Sequence, residues 1–307
     1  VIIHLSLPVE ELALRIFVLP LLLLLLSACQ TLPPLPEWQS PEGRGHADLG
    51  AIVDLRSGER LSAAQLVQRL AEADYVLVGE RHDNPDHHAL QLWLLQALAE
   101  RRSQGSLLLE MLTPEQQPAV ARTQTQLRRG EPVEDLPTTL AWSPGWPWRL
   151  YGPLVSYALA QPFSLMPANL TRAEIGQIYR EVPRLPDGES TRAEVAEALR
   201  AQIVDSHCGM LPDSQVPAML AVQQQRDRRM AARLLAAPKP TMLIAGGFHA
   251  RRDLGAPLHL RDLGGSGNVQ VLMLAEVGER VAAQQANFVW YTPAQPAKDY
   301  CEQMRKR

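Results

Sequence analysis

The stretch that most limits what this chain can fold into is residues 75–98, YVLVGERHDNPDHHALQLWLLQAL. Tyr75 to Val78 is a short β-branched and aliphatic run, the pattern of a strand buried on both faces, and Gly79 lets the backbone leave it tightly. Glu80 and His82 follow just past the strand end. Pro85 breaks the chain, and Asp86 is placed to cap a helix whose first turn holds His87 and His88. Leu90, Trp93, Leu94, Ala97 and Leu98 recur three and four apart, so the helix carries a face to lay on a sheet. Ligands of open α/β sheets bind outside the carboxyl ends of the strands, where this polar cluster falls. Its acids and histidines either serve such a site or cap and solvate a helix start; no HExxH decides between them.

The same alternation continues. Ala51 to Leu55 reads as a first strand, with Ser62 capping a helix through Leu66 and Leu70. Leu107 to Leu109 is a strand ending in Glu110, and Thr113-Pro114-Glu115-Gln116 opens a helix with a capping box. Residues 131–149 lack periodicity and hold Trp142, Trp146 and Trp148, an aromatic loop that either folds back on the core or walls a flat ligand. Tyr151 to Ala160 reads as a helix, Phe163 to Met166 as a strand leading to Asn169, and Thr171 as the next cap. Residues 171–237 contain helical stretches without a strand, an inserted helical domain. His207 and Cys208 end its second helix, where a histidine is either a favourable C-terminal charge or a donor. Thr241 to Ala245 then runs into Gly246-Gly247-Phe248-His249, so two strands more than a hundred residues apart each end in glycine, two residues, histidine. Val271 to Leu274 and Phe288 to Tyr291 are the last strands. The chain is thus expected to be α/β: a mostly parallel β-sheet flanked by helices, with a smaller inserted helical domain. Glu80, His82, Glu110, Asn169 and His249 converge on one edge if their strands are neighbours.

At 46% hydrophobic and 21% charged over 307 residues the chain can bury a sizeable core, and a net charge of −3 without a long basic run excludes a nucleic-acid footprint. Residues 1–29 differ. IFVLPLLLLLL is too short to span a membrane, and Leu26-Ser27-Ala28-Cys29 after it reads as a lipoprotein signal with Cys29 as the lipidated residue. Residues 30–49 are expected to be a proline-rich tether, 50–292 the domain and 293–307 a C-terminal tail. Cys208 and Cys301 remain: an exported chain can pair them, or Cys208 can stay a buried thiol.

GERHDNPDHH, the LLLEM strand, Tyr151-Gly152-Pro153, PANL, HCGMLP and IAGGFH together resemble the ChaN family of haem-binding lipoproteins, and PhuW-type lipoproteins of haem-uptake loci in the same way. The resemblance spans roughly residues 50–292. It implies a dimer holding haem between subunits, a role in haem or iron uptake, and, with Gln30 after the cysteine, an outer-membrane location facing the periplasm or the cell surface. Without a CxxCH the haem would be b-type and non-covalent. Tyr151 is the first expected axial donor and His207 the second. The wider TraB/Tiki-like superfamily implies an alternative, a metal-dependent hydrolase or protease with His82 and His249 as metal ligands and Glu80 or Glu110 as ligand or general base.

Overall fold

The apolar run from Tyr75 becomes the centre of a sheet. In the computed structural model residues 32–305 are described, so the signal segment and Cys29 lie outside the described residues. The first half runs β1 (Ile52–Asp54), β2 (Arg60–Leu61), α1 (Ala63–Ala71), β3 (Tyr75–Glu80), α2 (Pro85–Ala99), β4 (Ser106–Leu109), α3 (Gln117–Arg128), α4 (Leu136–Thr139) and α5 (Trp148–Ala160). Then come β5 (Ser164–Pro167), α6 (Arg172–Glu181), α7 (Ala193–Ser206), α8 (Val216–Ala236), β6 (Thr241–Gly246), α9 (Gly247–Ala250), α10 (Ala256–Asp262), β7 (Val269–Glu276), β8 (Phe288–Thr292) and α11 (Tyr300–Arg305).

The sheet order is β2-β1-β8-β7-β3-β6-β4-β5. Every pairing from β8 to β5 is parallel, and β1 joins antiparallel to β8 and β2. The expected α/β architecture therefore holds. All six residues of β3 are buried. Tyr75 and Leu77 pack with Met230, Ala231 and Leu234 of α8 and Leu260 of α10. Alternation along the strand turns Val76 and Val78 to the opposite face. Each fully buried aliphatic side chain contributes about 1.5–3 kcal/mol.

Local chemistry sets the element ends. Ser62 and Thr171 each form a capping box, with Gln65 and Glu174. At α2 the cap is Asn84 rather than the expected Asp86: the Asn84 side chain accepts from the backbone N–H groups of Asp86 and His87, and Pro85 takes the first helical position. Asp86 instead accepts the backbone N–H groups of Gln39 and Ser40. The proline-rich segment is thus fastened to the domain at Gln39 and Ser40, and Glu42 bridges to Ala294.

Residues 171–237 carry the expected helices. Val195, Leu199 and Ile203 of α7, Leu220 of α8, and Leu254 and Leu258 form a smaller apolar cluster of their own. The far half of α8 belongs to the main core, so the insertion is anchored through one continuous helix. Cys208 and Cys301 form a disulfide that ties the tail to the end of α7. Among the described residues no helix is long and apolar enough to cross a membrane.

Candidate functional site

Because β3, β6 and β4 are consecutive neighbours, their carboxyl ends bring Glu80, Gly246 and Glu110 side by side. β3 continues through Glu80, so that carboxylate belongs to the strand and not to the loop after it. Its side chain is wholly buried. One oxygen accepts from the Tyr151 hydroxyl at 2.8 Å and from His82 Nδ1 at 2.9 Å. The other accepts from the Gln91 amide and faces His88 Nδ1 at 3.2 Å. Burial opposes ionisation of Glu80, but His88, His82 and Gln91 outweigh it and hold its carboxyl at about 2.

His82 is the open edge of this network, its side chain 45% exposed. Burial pulls its pKa down, and the stronger combined pull of Glu80 and Glu110 raises it above the ordinary histidine value. Trp146 stands edge-on to its ring at 4.9 Å and also packs on Tyr151. The tryptophan loop therefore folds back over the site, with Trp142 donating to the Trp146 carbonyl.

A second network adjoins the first through Gly246. Its N–H donates to Glu110 at 2.7 Å, and the other Glu110 oxygen lies 3.5 Å from His249 Nε2. His249 Nδ1 donates to Asp227 at 2.6 Å. Both partners are buried; burial lowers the His249 pKa, but Glu110 and Asp227 outweigh it and leave it above the ordinary value. A Cβ on Gly246 would come 2.8 Å from His82 Nε2, so the glycine of the second GxxH admits the histidine of the first. Asn169 joins by donating to the Glu110 carbonyl at 2.9 Å.

Of the residues expected from sequence, Glu80, His82, Tyr151, Glu110 and His249 come together, as two linked carboxylate–histidine networks. His82 and His249 are each committed to carboxylates, and among the described residues no three His, Cys, Asp or Glu side chains are arranged to hold one metal ion. The metal-dependent hydrolase alternative is not favoured by this arrangement. Tyr151 is fully buried; burial first and then Glu80 push its phenol far above the ordinary tyrosine value.

His207 lies elsewhere, in a pocket of about 220 Å³ between α6, α7 and α8 that Tyr179, Gln202, Gln223 and Arg226 also line. Its Nδ1 donates to the Ile203 carbonyl at 2.7 Å. Sequence reasoning missed Asp227, Gln91 and the role of His88. The available signal was a polar residue on an apolar face: Asp227 shares a helical stripe with Met230, Ala231 and Leu234.

The family described as "Haem-binding uptake, Tiki superfamily, ChaN" matches residues 66–260. The solved structure of ChaN of Campylobacter jejuni, with cofacial haem binding, is 27% identical with a TM-score of 0.73, covering 83% of this chain and 98% of that one. A mutant of an erythromycin esterase in its open conformation is 13% identical at a TM-score of 0.41, covering 76% of this chain and 80% of that one. Among curated proteins no sequence matches.

Proposed function

The chain belongs to the ChaN family of haem-binding uptake proteins in the Tiki superfamily, and from that premise we propose that it binds b-type haem non-covalently as a membrane-anchored lipoprotein of haem and iron uptake. The observation that carries the reading is the match over residues 66–260, supported by the likeness to ChaN of Campylobacter jejuni, which binds haem cofacially. Haems held face to face require two sites to meet, which a pair of chains supplies, so the proposed functional unit is a homodimer.

The donor chemistry around His207 fits this group. With Nδ1–H held by the Ile203 carbonyl, Nε2 keeps its lone pair, and such an outer hydrogen bond orients an imidazole and raises its basicity as a ligand. Gln202 Oε1 and Arg226 Nε, on residues of the same pocket, are buried without a hydrogen-bond partner. Orphaned buried polar atoms are the groups a ligand satisfies. At about 220 Å³ the pocket is smaller than the ~300–1,000 Å³ of sites that enclose a ligand within one chain. A second copy would complete it. When bound, the haem supplies the iron whose uptake is the proposed role.

Tyr151, the first donor expected from sequence, is a buried phenol beside an ionised carboxylate, an environment that opposes a phenolate ligand. We therefore propose that His207 would hold the haem iron, and we give Tyr151 the task of holding Glu80.

Titration of ferric haem into the full chain in detergent tests both assignments. His207→Ala is expected to weaken binding by about tenfold or more and to change the ferric spectrum. Tyr151→Phe should bind with the wild-type spectrum; a changed spectrum there, with His207→Ala unaffected, would make Tyr151 the residue that holds the iron. Haem should also strengthen dimerisation in sedimentation, because a ligand bound only by the dimer shifts the equilibrium toward it. Absence of saturable binding by the intact dimer would reject the function.

A further inference from the structure

A larger crevice beside Glu80 is left unused by the haem reading. It opens at the carboxyl ends of β3 and β7, next to the point where the chain leaves β3 toward β4 on one side and β6 toward β7 on the other. Open α/β sheets take their ligands at such a switch point. The volume, about 650 Å³, lies within the ~300–1,000 Å³ of small-molecule sites.

Its lining is of two kinds. Met273, Leu274, Val281 and Phe248 make an apolar wall, and Phe248 is 47% exposed although it lies two residues past the buried strand β6. Gly79 and Gly247 make room for the Met273 thioether: a Cβ would stand 2.6 Å from its sulfur at Gly79 and 3.2 Å at Gly247. The charged lining is Arg81, Arg251 and Arg280 with Glu80 and Glu279. Arg81 is paired with Glu276 and Glu279, and Arg251 makes two hydrogen bonds to Asp253. Glu80 is enclosed by its own donors. Arg280 alone of this group is exposed with no hydrogen bond or ion pair among the described residues, so the charge left for a ligand is positive.

We infer that this crevice binds an organic monoanion, a carboxylate with an aromatic or aliphatic body, its head on Arg280 and its body against Phe248 and Met273. The site is separate from the proposed haem pocket. No His, Tyr or Cys lines it, so it offers none of the usual haem-iron donors other than a thioether.

Calorimetric titration of the full chain in detergent micelles with phenylbutyrate, against a protein-free micelle blank, tests the inference. One saturable site per chain is expected. Arg280→Gln should weaken it by about tenfold or more, the size of one charge-assisted hydrogen bond. Phe248→Ala should weaken it by about fivefold through lost apolar contact, and uncharged phenylbutanol should bind at least about tenfold more weakly than the anion. No saturable binding, equal binding of the alcohol, or unchanged affinity in Arg280→Gln would overturn the site. In parallel, Arg280→Gln should bind ferric haem with wild-type affinity and spectrum; a loss there would give the crevice to haem and overturn the separate site, whatever the fate of the haem reading at His207.

Discussion

At the scale of single residues, the contact between the two carboxylate–histidine networks is a missing methyl group. Gly246 has φ −54° and ψ 146°, which any residue adopts, so its reason for being glycine is the His82 ring against it. Gly246→Ala should fold yet push that ring away from Glu80. His82 now titrates above the ordinary histidine value because Glu80 and Glu110 outweigh its burial. A histidine with a raised folded pKa stabilises the protein below its unfolded pKa, and that contribution disappears as pH rises through the folded value. In Gly246→Ala the folded pKa should return toward about 6.5 and the acid-side contribution should shrink. Imidazole titration by NMR measures it, and an unmoved His82 would show that the ring does not depend on the empty space at residue 246.

At the scale of elements, helix α2 is held by groups that a reading of its sequence takes for solvated polar residues. The cluster of histidines at its start was legible as a polar site at a strand end. The division of labour was not, because it depends on partners far along the chain. His87 accepts from the Arg81 backbone N–H and donates to Thr292 on β8, more than two hundred residues away. Asn84 reaches Glu276 and the Pro293 carbonyl, while Asp86 is occupied by the segment that precedes the domain. His87 is buried in a neutral state, and that burial holds its pKa down at about 3. A histidine lowered in this way destabilises the fold as pH falls below its unfolded value of about 6.5, until the folded value is reached. Between pH 7 and pH 5 the loss is about 2 kcal/mol. His87→Gln, which keeps a donor and an acceptor but does not titrate, should lower stability at pH 7 by about 1–2 kcal/mol while reducing the pH 7 to pH 5 difference by about the same amount. Urea unfolding at both pH values measures this, and an undiminished difference would place the acid sensitivity elsewhere.

At the scale of the whole molecule, the parallel part of the sheet was readable because its central strands are unbroken apolar runs, whereas β2, two residues with an exposed arginine, carries no such run and was not read; the GxxH repeat at residues 79–82 and 246–249 marked two strands that prove to be neighbours. The ends of the chain were less readable. The disulfide between Cys208 and Cys301 closes a separation of 93 residues, which in the chain-entropy account stabilises by roughly 4–5 kcal/mol. Lys298 and Tyr300 add contacts to Asp83. Such a bond persists in an oxidising compartment, which accords with the export proposed from Leu26-Ser27-Ala28-Cys29. The N-terminal tether changes character as well. Gln39 and Ser40 are fixed on Asp86, and Pro34 and Pro36 already line a pocket with Pro85, His88 and Trp93, so little of the proline-rich segment is left to act as a spacer after a lipidated Cys29. At about 3.1 Å per residue for extended proline-rich chain, the stretch from Cys29 to Gln39 bounds the reach at about 30 Å, so acyl chains on Cys29 would keep the domain close to the bilayer surface. The mature protein taken from membranes should therefore begin at Cys29 and carry the mass of its acyl groups on the N-terminal peptide. Cys29→Ser should abolish both that added mass and the cleavage before residue 29, since the thiol is the acceptor of the first lipid. An unmodified Cys29 in mature membrane-bound protein, or a mature N-terminus at another position, would refute lipid anchoring while leaving the fold and the haem reading intact.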